Sequence, residues 1–220
     1  MCVFGMVKVM FFDFDGTILD TRAIAVRAFK KTFGKSGIEY DDGVFKKLGT
    51  KSSSMKADDI FRAMGVLDSE IGGVVDLFFE YFVSELLESD LDSCGDLSVL
   101  RALKERCELI VVSNNRKDFL DLALKKMGIE DLFSEVHGEE SEKEKDGVLL
   151  EILERRGFRK KDCLYVGDMF SDVRFAKKVG MRVVAIFSSC SWSSREELEL
   201  ESPDFLIERF EELLPIAQNT

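Results

Sequence analysis

The chain has 220 residues, 45% of them apolar, and a net charge of −11 from 31 basic and 42 acidic side chains. Two prolines and 33% charged residues exclude collagen-like and proline-rich disordered classes, and the length accommodates one large domain or an ordinary domain with a smaller module. The acidic balance repels a nucleic-acid backbone, which excludes general nucleic-acid binding, and it equally repels any small anion that lacks a local cation to receive it.

Residues 1–12 are apolar apart from Lys8 and carry the first strand pattern at 7–12. The stretch runs directly into Asp13 and Asp15 without a small-residue cleavage site. No apolar run elsewhere approaches the roughly 18 residues of a membrane span, so the expectation is a soluble, cytoplasmic protein with no membrane partner. Residues 21–92 then lack strands. Val26, Phe29 and Phe33 share one helical face, and Met55, Ile60, Phe61 and Met64 suggest a second helix. Ile71, Val74, Val75, Phe78, Phe79, Phe82, Val83, Leu86 and Leu87 keep the 3.6-residue period of an amphipathic helix. The Phe78, Phe79, Phe82 stripe reads as packing within this module, and Gly49, Thr50 and Lys51 as a solvated turn.

From residue 97 the pattern alternates. A helix on Leu97, Leu100 and Leu103 precedes a strand at 108–112, and a helix on Phe119, Leu122, Ala123 and Met127 stops at Gly128. A short strand at 134–137 ends on His137, the only histidine, which reads as a strand-end residue. A helix on Val148, Leu149, Ile152 and Leu153 stops at Gly157. Strands at 163–166 and 182–187 enclose a helix that ends at Gly180, and a last candidate strand lies at 204–207. The strands are continuous apolar runs, as in a parallel sheet buried on both faces. The fold class is therefore α/β: a Rossmann-like, doubly wound core of residues 1–20 and 93–220, interrupted by an all-helical module at 21–92. Cys2, Cys94, Cys107, Cys163 and Cys190 are scattered and odd in number, which predicts reduced thiols in place of a zinc site or disulfide framework.

Four segments fall just past strand C-termini, where open parallel sheets bind ligands. They are Asp13-Phe14-Asp15-Gly16-Thr17, Ser113-Asn114-Asn115, a lysine within 141–145, and Gly167-Asp168 followed by Asp172. Carboxylates gathered in one crevice repel one another and need protons or a cation. Hard oxygen ligands select Mg²⁺, which also holds substrate phosphate oxygens. Ser113, the amide region at Asn114 and a lysine then stabilise charge on a transferring phosphoryl group. One carboxylate is placed for in-line attack, giving an aspartyl-phosphate, and one two residues on for protonating the leaving oxygen and activating water.

The run Phe11-Phe12-Asp13-Phe14-Asp15-Gly16-Thr17-Ile18-Leu19-Asp20 closely resembles the first motif of the haloacid dehalogenase superfamily. Ser113-Asn114, the lysine and Gly167-Asp168 with Asp172 resemble its second, third and fourth motifs. The resemblance implies a helical cap inserted after the first motif, Asp13 as nucleophile and Asp15 as general acid and base. It also implies Mg²⁺ held by Asp13, the backbone carbonyl of Asp15 and Asp168, with Asp172 in or behind that shell, and Gly16 and Thr17 shaping the turn. An acid at position 15 is similar to the phosphatase and phosphomutase branches. For the lysine, the family spacing counted back from Val148 and Gly157 favours Lys143 over Lys145, although Glu144 and Asp146 stand where prolines are usual. The function this implies is a Mg²⁺-dependent phosphatase of a small phosphorylated metabolite, in which Gly16, Thr17, Ser113, Asn114 and Lys143 contact the phosphate or substrate. The alternatives are a sugar phosphomutase, or a non-catalytic binding module that keeps the fold.

Overall fold

The computed structural model describes residues 7–38, 57–139 and 144–218. The chain divides into two compact units, one of residues 1–20 and 92–220 and the other of residues 21–91.

The first unit is built on six parallel strands, β1 (Val9–Phe12), β2 (Glu108–Val112), β3 (Glu135–His137), β4 (Cys163–Gly167), β5 (Arg182–Ile186) and β6 (Phe205–Ile207), in the order β3-β2-β1-β4-β5-β6. The chain winds outward from β1 through β2 to β3, then returns to the other side of β1 for β4 to β6. That reversal puts the topological switch beside β1, where the C-terminal ends of β1, β2 and β4 open a crevice. Register fixes which residues share it. Phe12 pairs with Val111 and Val166, so Asp13, Ser113 and Asp168 all follow closely on the last paired residues.

Every residue of β1 and β4 is buried, and so are Leu109–Val112 of β2, consistent with helices over both faces. Val9, Phe11, Ile110, Val112, Cys163, Tyr165, Val183 and Ala185 form one face of the sheet in a single cluster with Leu149, Ile152, Val173 and Ala176 from two helices. The helices of this unit are α4 (Leu97–Lys104), α5 (Lys117–Met127), α6 (Lys145–Arg156), α7 (Phe170–Val179), α8 (Arg195–Leu200) and α9 (Leu213–Gln218). α5, α6 and α7 end on Gly128, Gly157 and Gly180, each in the left-handed conformation that caps a helix C-terminus. The segments at the edges of the interruption pair with each other: Asp20 N–H donates to Asp92 O at 3.0 Å and Cys94 N–H to Ile18 O at 2.9 Å. Cys94, Cys107, Cys163 and Cys190 are free thiols, and Cys2 lies outside the described residues.

The second unit holds α1 (Arg22–Ser36), α2 (Ala57–Ala63) and α3 (Asp68–Glu88). Its centre is aromatic. Phe29 stacks on Phe78 at 4.2 Å between ring centroids and on Phe33 at 6.0 Å, and Phe61 sets its edge to Phe33 and Phe78. Such pairs add about 0.5–1.5 kcal/mol each beyond the area they bury. Glu85 of α3 is nearly buried and is paired by Arg27 at 2.5 Å and Lys31 at 2.6 Å, which ties α1 to α3 by charge as well as by packing. Gly49, Thr50, Lys51 and Met55 lie outside the described residues. No helix among the described residues is long and apolar enough to cross a membrane.

Candidate active site

Asp13 continues β1 by one residue. Its backbone N–H donates to Val166 O at 2.9 Å, so the strand ladder itself holds it beside β4. The chain then turns sharply: Thr17, Ile18 and Leu19 N–H all reach Phe14 O, and Gly16 N–H reaches Leu19 O at 2.8 Å. Gly16 takes a φ of +76°, and a Cβ there would lie 2.5 Å from Asp168 Oδ2 and from Trp192 Cδ1. Both the backbone conformation and the close approach demand glycine.

Asp168 follows β4 and is fully buried. Thr17 Oγ1 donates to its Oδ1 at 2.9 Å, and Trp192 N–H donates to its Oδ2 at 2.7 Å. Asp172, also fully buried, sits in the first turn of α7. Its Oδ2 accepts Met169 N–H at 3.1 Å, and its Oδ1 accepts Lys145 Nζ at 2.8 Å and Tyr165 OH at 3.1 Å. A side chain at Gly167 would overlap this carboxylate, which accounts for glycine at the end of β4.

Lys145 completes the cluster. Its Nζ lies 2.8 Å from Asp13 Oδ1 as well as from Asp172 Oδ1, and the side chain is 4% exposed. Of the two lysines considered, Lys145 is the one that the described residues place in the crevice; Lys143, favoured by the family spacing, lies outside them. The reason is the register of α6. Val148, one of the two anchors for counting back, is only partly buried, and the first buried apolar residue is Leu149. Lys145 stands four residues before Leu149 and so shares its inward side.

Asp13, Asp168 and Asp172 bring one carboxylate oxygen each to within 4.8 Å of one another. Three buried acids facing one lysine leave an excess of negative charge. Burial pushes the Asp13 carboxyl up to about 7 against the pull of Lys145, with Asp172 and Asp15 adding repulsion. Burial, then Asp13 and Asp172, raise Asp168 well above the usual carboxylate range. Burial works to lower Lys145, but Asp13 and Asp172 outweigh it and keep the ammonium charged. The donor set, all hard carboxylate oxygens with surplus negative charge, fits a divalent cation such as Mg²⁺.

Asp15 stands apart from this cluster and is partly exposed. Ser113 Oγ donates to its Oδ2 at 3.3 Å, and Asn115 Nδ2 lies 3.1 and 3.2 Å from its two oxygens. Ser113 therefore reaches the crevice as expected from its place after β2. From the same loop the Asn115 side chain reaches Asp15, and the neighbouring Asn114 is exposed. His137 binds Glu135 at 2.8 Å in a surface ion network and takes no part in the cluster. Tyr165 and Trp192 stand outside the candidate segments, and Asn115 lies within one of them with no role of its own assigned. Tyr165 reads only as an apolar strand residue, Trp192 acts through a backbone N–H that every residue possesses, and nothing in the sequence distinguishes Asn115 from Asn114.

Residues 10–186 match the haloacid dehalogenase-like hydrolase family. The chain belongs to that family. It is 27% identical to a phosphoglycolate phosphatase from Synechococcus elongatus, across 94% of this chain and 95% of the relative. It is 24% identical to the pyrophosphatase PpaX of Listeria innocua, across 98% of each. In fold it superposes on a haloacid dehalogenase-like family hydrolase from Streptococcus pneumoniae with a TM-score of 0.82 and 20% identity, covering 96% of this chain and 99% of that one. This haloacid dehalogenase-like chain is thus an enzyme, a hydrolase of the phosphatase type.

Proposed function

We propose that the chain is a Mg²⁺-dependent phosphatase of small phosphorylated metabolites, acting in the cytoplasm through a phosphoaspartate on Asp13. The observation that carries this reading is the contrast between the two acids of the β1 turn. Asp13 is buried against Lys145, and Asp15, two residues on, is held separately by Ser113 and Asn115. Two carboxylates in different surroundings can take different roles.

In the first half-reaction an Asp13 oxygen attacks phosphorus, the bond from phosphorus to the ester oxygen breaks, and Asp15 gives its proton to that leaving oxygen, releasing the alcohol. In the second half-reaction Asp15, now a carboxylate, takes a proton from water. The water oxygen attacks phosphorus, the bond to Asp13 breaks, and phosphate leaves. Lys145 supplies fixed positive charge beside the nucleophile, and the Ser113 hydroxyl is a donor for a phosphoryl oxygen. Asp13, Asp168 and Asp172, with the backbone carbonyl of Asp15, would hold the cation, which supplies charge neutralisation and orientation of the phosphoryl oxygens.

The test is phosphate release from a panel of phosphorylated metabolites, beginning with phosphoglycolate and pyrophosphate because relatives carry those names. Release that chelator abolishes and Mg²⁺ restores is the expected result. Release undiminished in excess chelator would remove the metal from the account, and isomerisation of a sugar phosphate without phosphate release would make the enzyme a mutase.

A further inference from the structure

We propose that Asn115 is the positioning residue for the acid Asp15, which extends the reading of Asp15 given above and rests on it. Asn115 Nδ2 is 3.1 Å from Asp15 Oδ1 and 3.2 Å from Oδ2, so one amide bridges both oxygens of the carboxyl group. With one nitrogen nearly equidistant from both oxygens, a single N–H is shared between them, and this three-centre bond restrains the rotation of the carboxyl group as well as its place.

Asn115 is itself locked. Its Oδ1 accepts Arg116 N–H at 2.9 Å, which settles which end of the amide is the oxygen and turns Nδ2 toward Asp15. Its backbone N–H donates to Ser113 Oγ at 3.1 Å, and its backbone carbonyl accepts Glu139 N–H at 2.8 Å. The segment between β2 and α5 therefore presents a fixed donor, and Asp15, on the turn after β1, is the group it holds. Ser113 Oγ also donates to Asp15, but the same hydroxyl is the one assigned to a phosphoryl oxygen, and turning toward substrate releases it. Asn115 has no such second duty and keeps its hold on Asp15 while the ester is bound.

A residue that acts by aiming the acid has a distinctive signature. Protonation of the leaving oxygen matters for a poor leaving group such as an alkoxide and little for p-nitrophenolate. Loss of Asn115 should therefore depend on the leaving group, whereas loss of a phosphate contact or of folding should not. The experiment measures the rate of leaving-group release within one turnover, which isolates the first half-reaction, together with KM, on phosphoglycolate and p-nitrophenyl phosphate for the intact enzyme, Asp15→Asn, Asn115→Ala, Asn115→Asp and the double variant Asp15→Asn/Asn115→Ala. Asn115→Asp keeps an oxygen for Arg116 N–H and nearly the same shape while replacing the donation by a like charge, so it reports even where the alanine variant folds poorly.

The expected result is a fall in that single-turnover rate of about 10²-fold on phosphoglycolate for both Asn115 variants, the usual scale for a misplaced catalytic group, with at most a small change on p-nitrophenyl phosphate. The double variant should be no slower than Asp15→Asn alone, because the two residues act as one unit. Equal losses on both esters, or a double variant slower than Asp15→Asn, would overturn the positioning role while leaving Asp15 as the acid. Equal losses on both esters in Asp15→Asn, where Asn115 is intact, would overturn the assignment of Asp15 and the positioning role with it.

Discussion

Lys145 Nζ lies 2.8 Å from Asp13 Oδ1 and 2.8 Å from Asp172 Oδ1, so one buried ammonium bridges the end of β1 to the start of α7. The bridge makes the cation structural and chemical at once. It offsets part of the repulsion among the acids and places positive charge beside the atom that attacks.

Lys145→Ala should lower kcat by about 10²–10³, the range seen when one partner of transition-state charge is removed. In the metal-free protein it should also cost about 3–5 kcal/mol of stability, because removing one partner of a buried pair leaves the others unpaired. Steady-state kinetics and urea unfolding of the same variant read the two effects separately.

Much of this site was legible in sequence. Strands buried on both faces appear as unbroken runs such as Leu109-Ile110-Val111-Val112, and their ends predict where Asp13, Ser113 and Asp168 converge. The lysine was less legible because helix register depends on which apolar residue faces inward, and Val148 and Leu149 are equivalent until the packing is seen. Asn115 was missed for a similar reason: in an Asn-Asn pair the backbone decides which amide points inward. Trp192 was beyond reach, since its contribution to Asp168 is a main-chain N–H delivered by a loop after β5.

The raised Asp13 carboxyl sets a pH dependence for the metal-free protein. Its folded value, about 7, lies above the ordinary 3.8, so between these values the folded state binds more protons than the unfolded state. Stability should therefore fall as pH rises through that window. Thermal melts across the range in chelator check the sign. Mg²⁺ should raise the melting temperature more at about pH 8 than at about pH 5, where protons compete for the ligands.

Glu135 gives the opposite slope at acid pH. Burial works to raise its carboxyl, but hydrogen bonds from Arg155, His137 and Arg156 outweigh this and hold it down at about 2, against an ordinary 4.5. A depressed carboxylate contributes stability that is present above its unfolded value and lost as pH falls toward the folded one. Acid unfolding of Glu135→Gln should be flatter than that of the parent between those two values. Parallel curves would show that the ion network on β3 contributes nothing.

Gly16→Ala should damage the site without touching a charged group. The methyl group would meet Asp168 Oδ2 and Trp192 Cδ1 at 2.5 Å, and the φ of +76° strains any other residue. The backbone cost alone is about 1–3 kcal/mol. Metal affinity, read by the Mg²⁺ dependence of the melting temperature, should weaken because Asp168 is displaced.

The most direct measurement is the site of phosphorylation during turnover. A substrate carrying radioactive phosphate, mixed with enzyme and Mg²⁺ and quenched within one turnover, should leave label on the peptide containing Asp13, and borohydride should convert that residue alone to homoserine. Asp13→Asn should carry no label and show no turnover, while Asp15→Asn should still become labelled from an activated aryl ester and release phosphate slowly. Label on Asp15, or full turnover with no labelled protein at any time, would contradict the assignment of Asp13 as nucleophile.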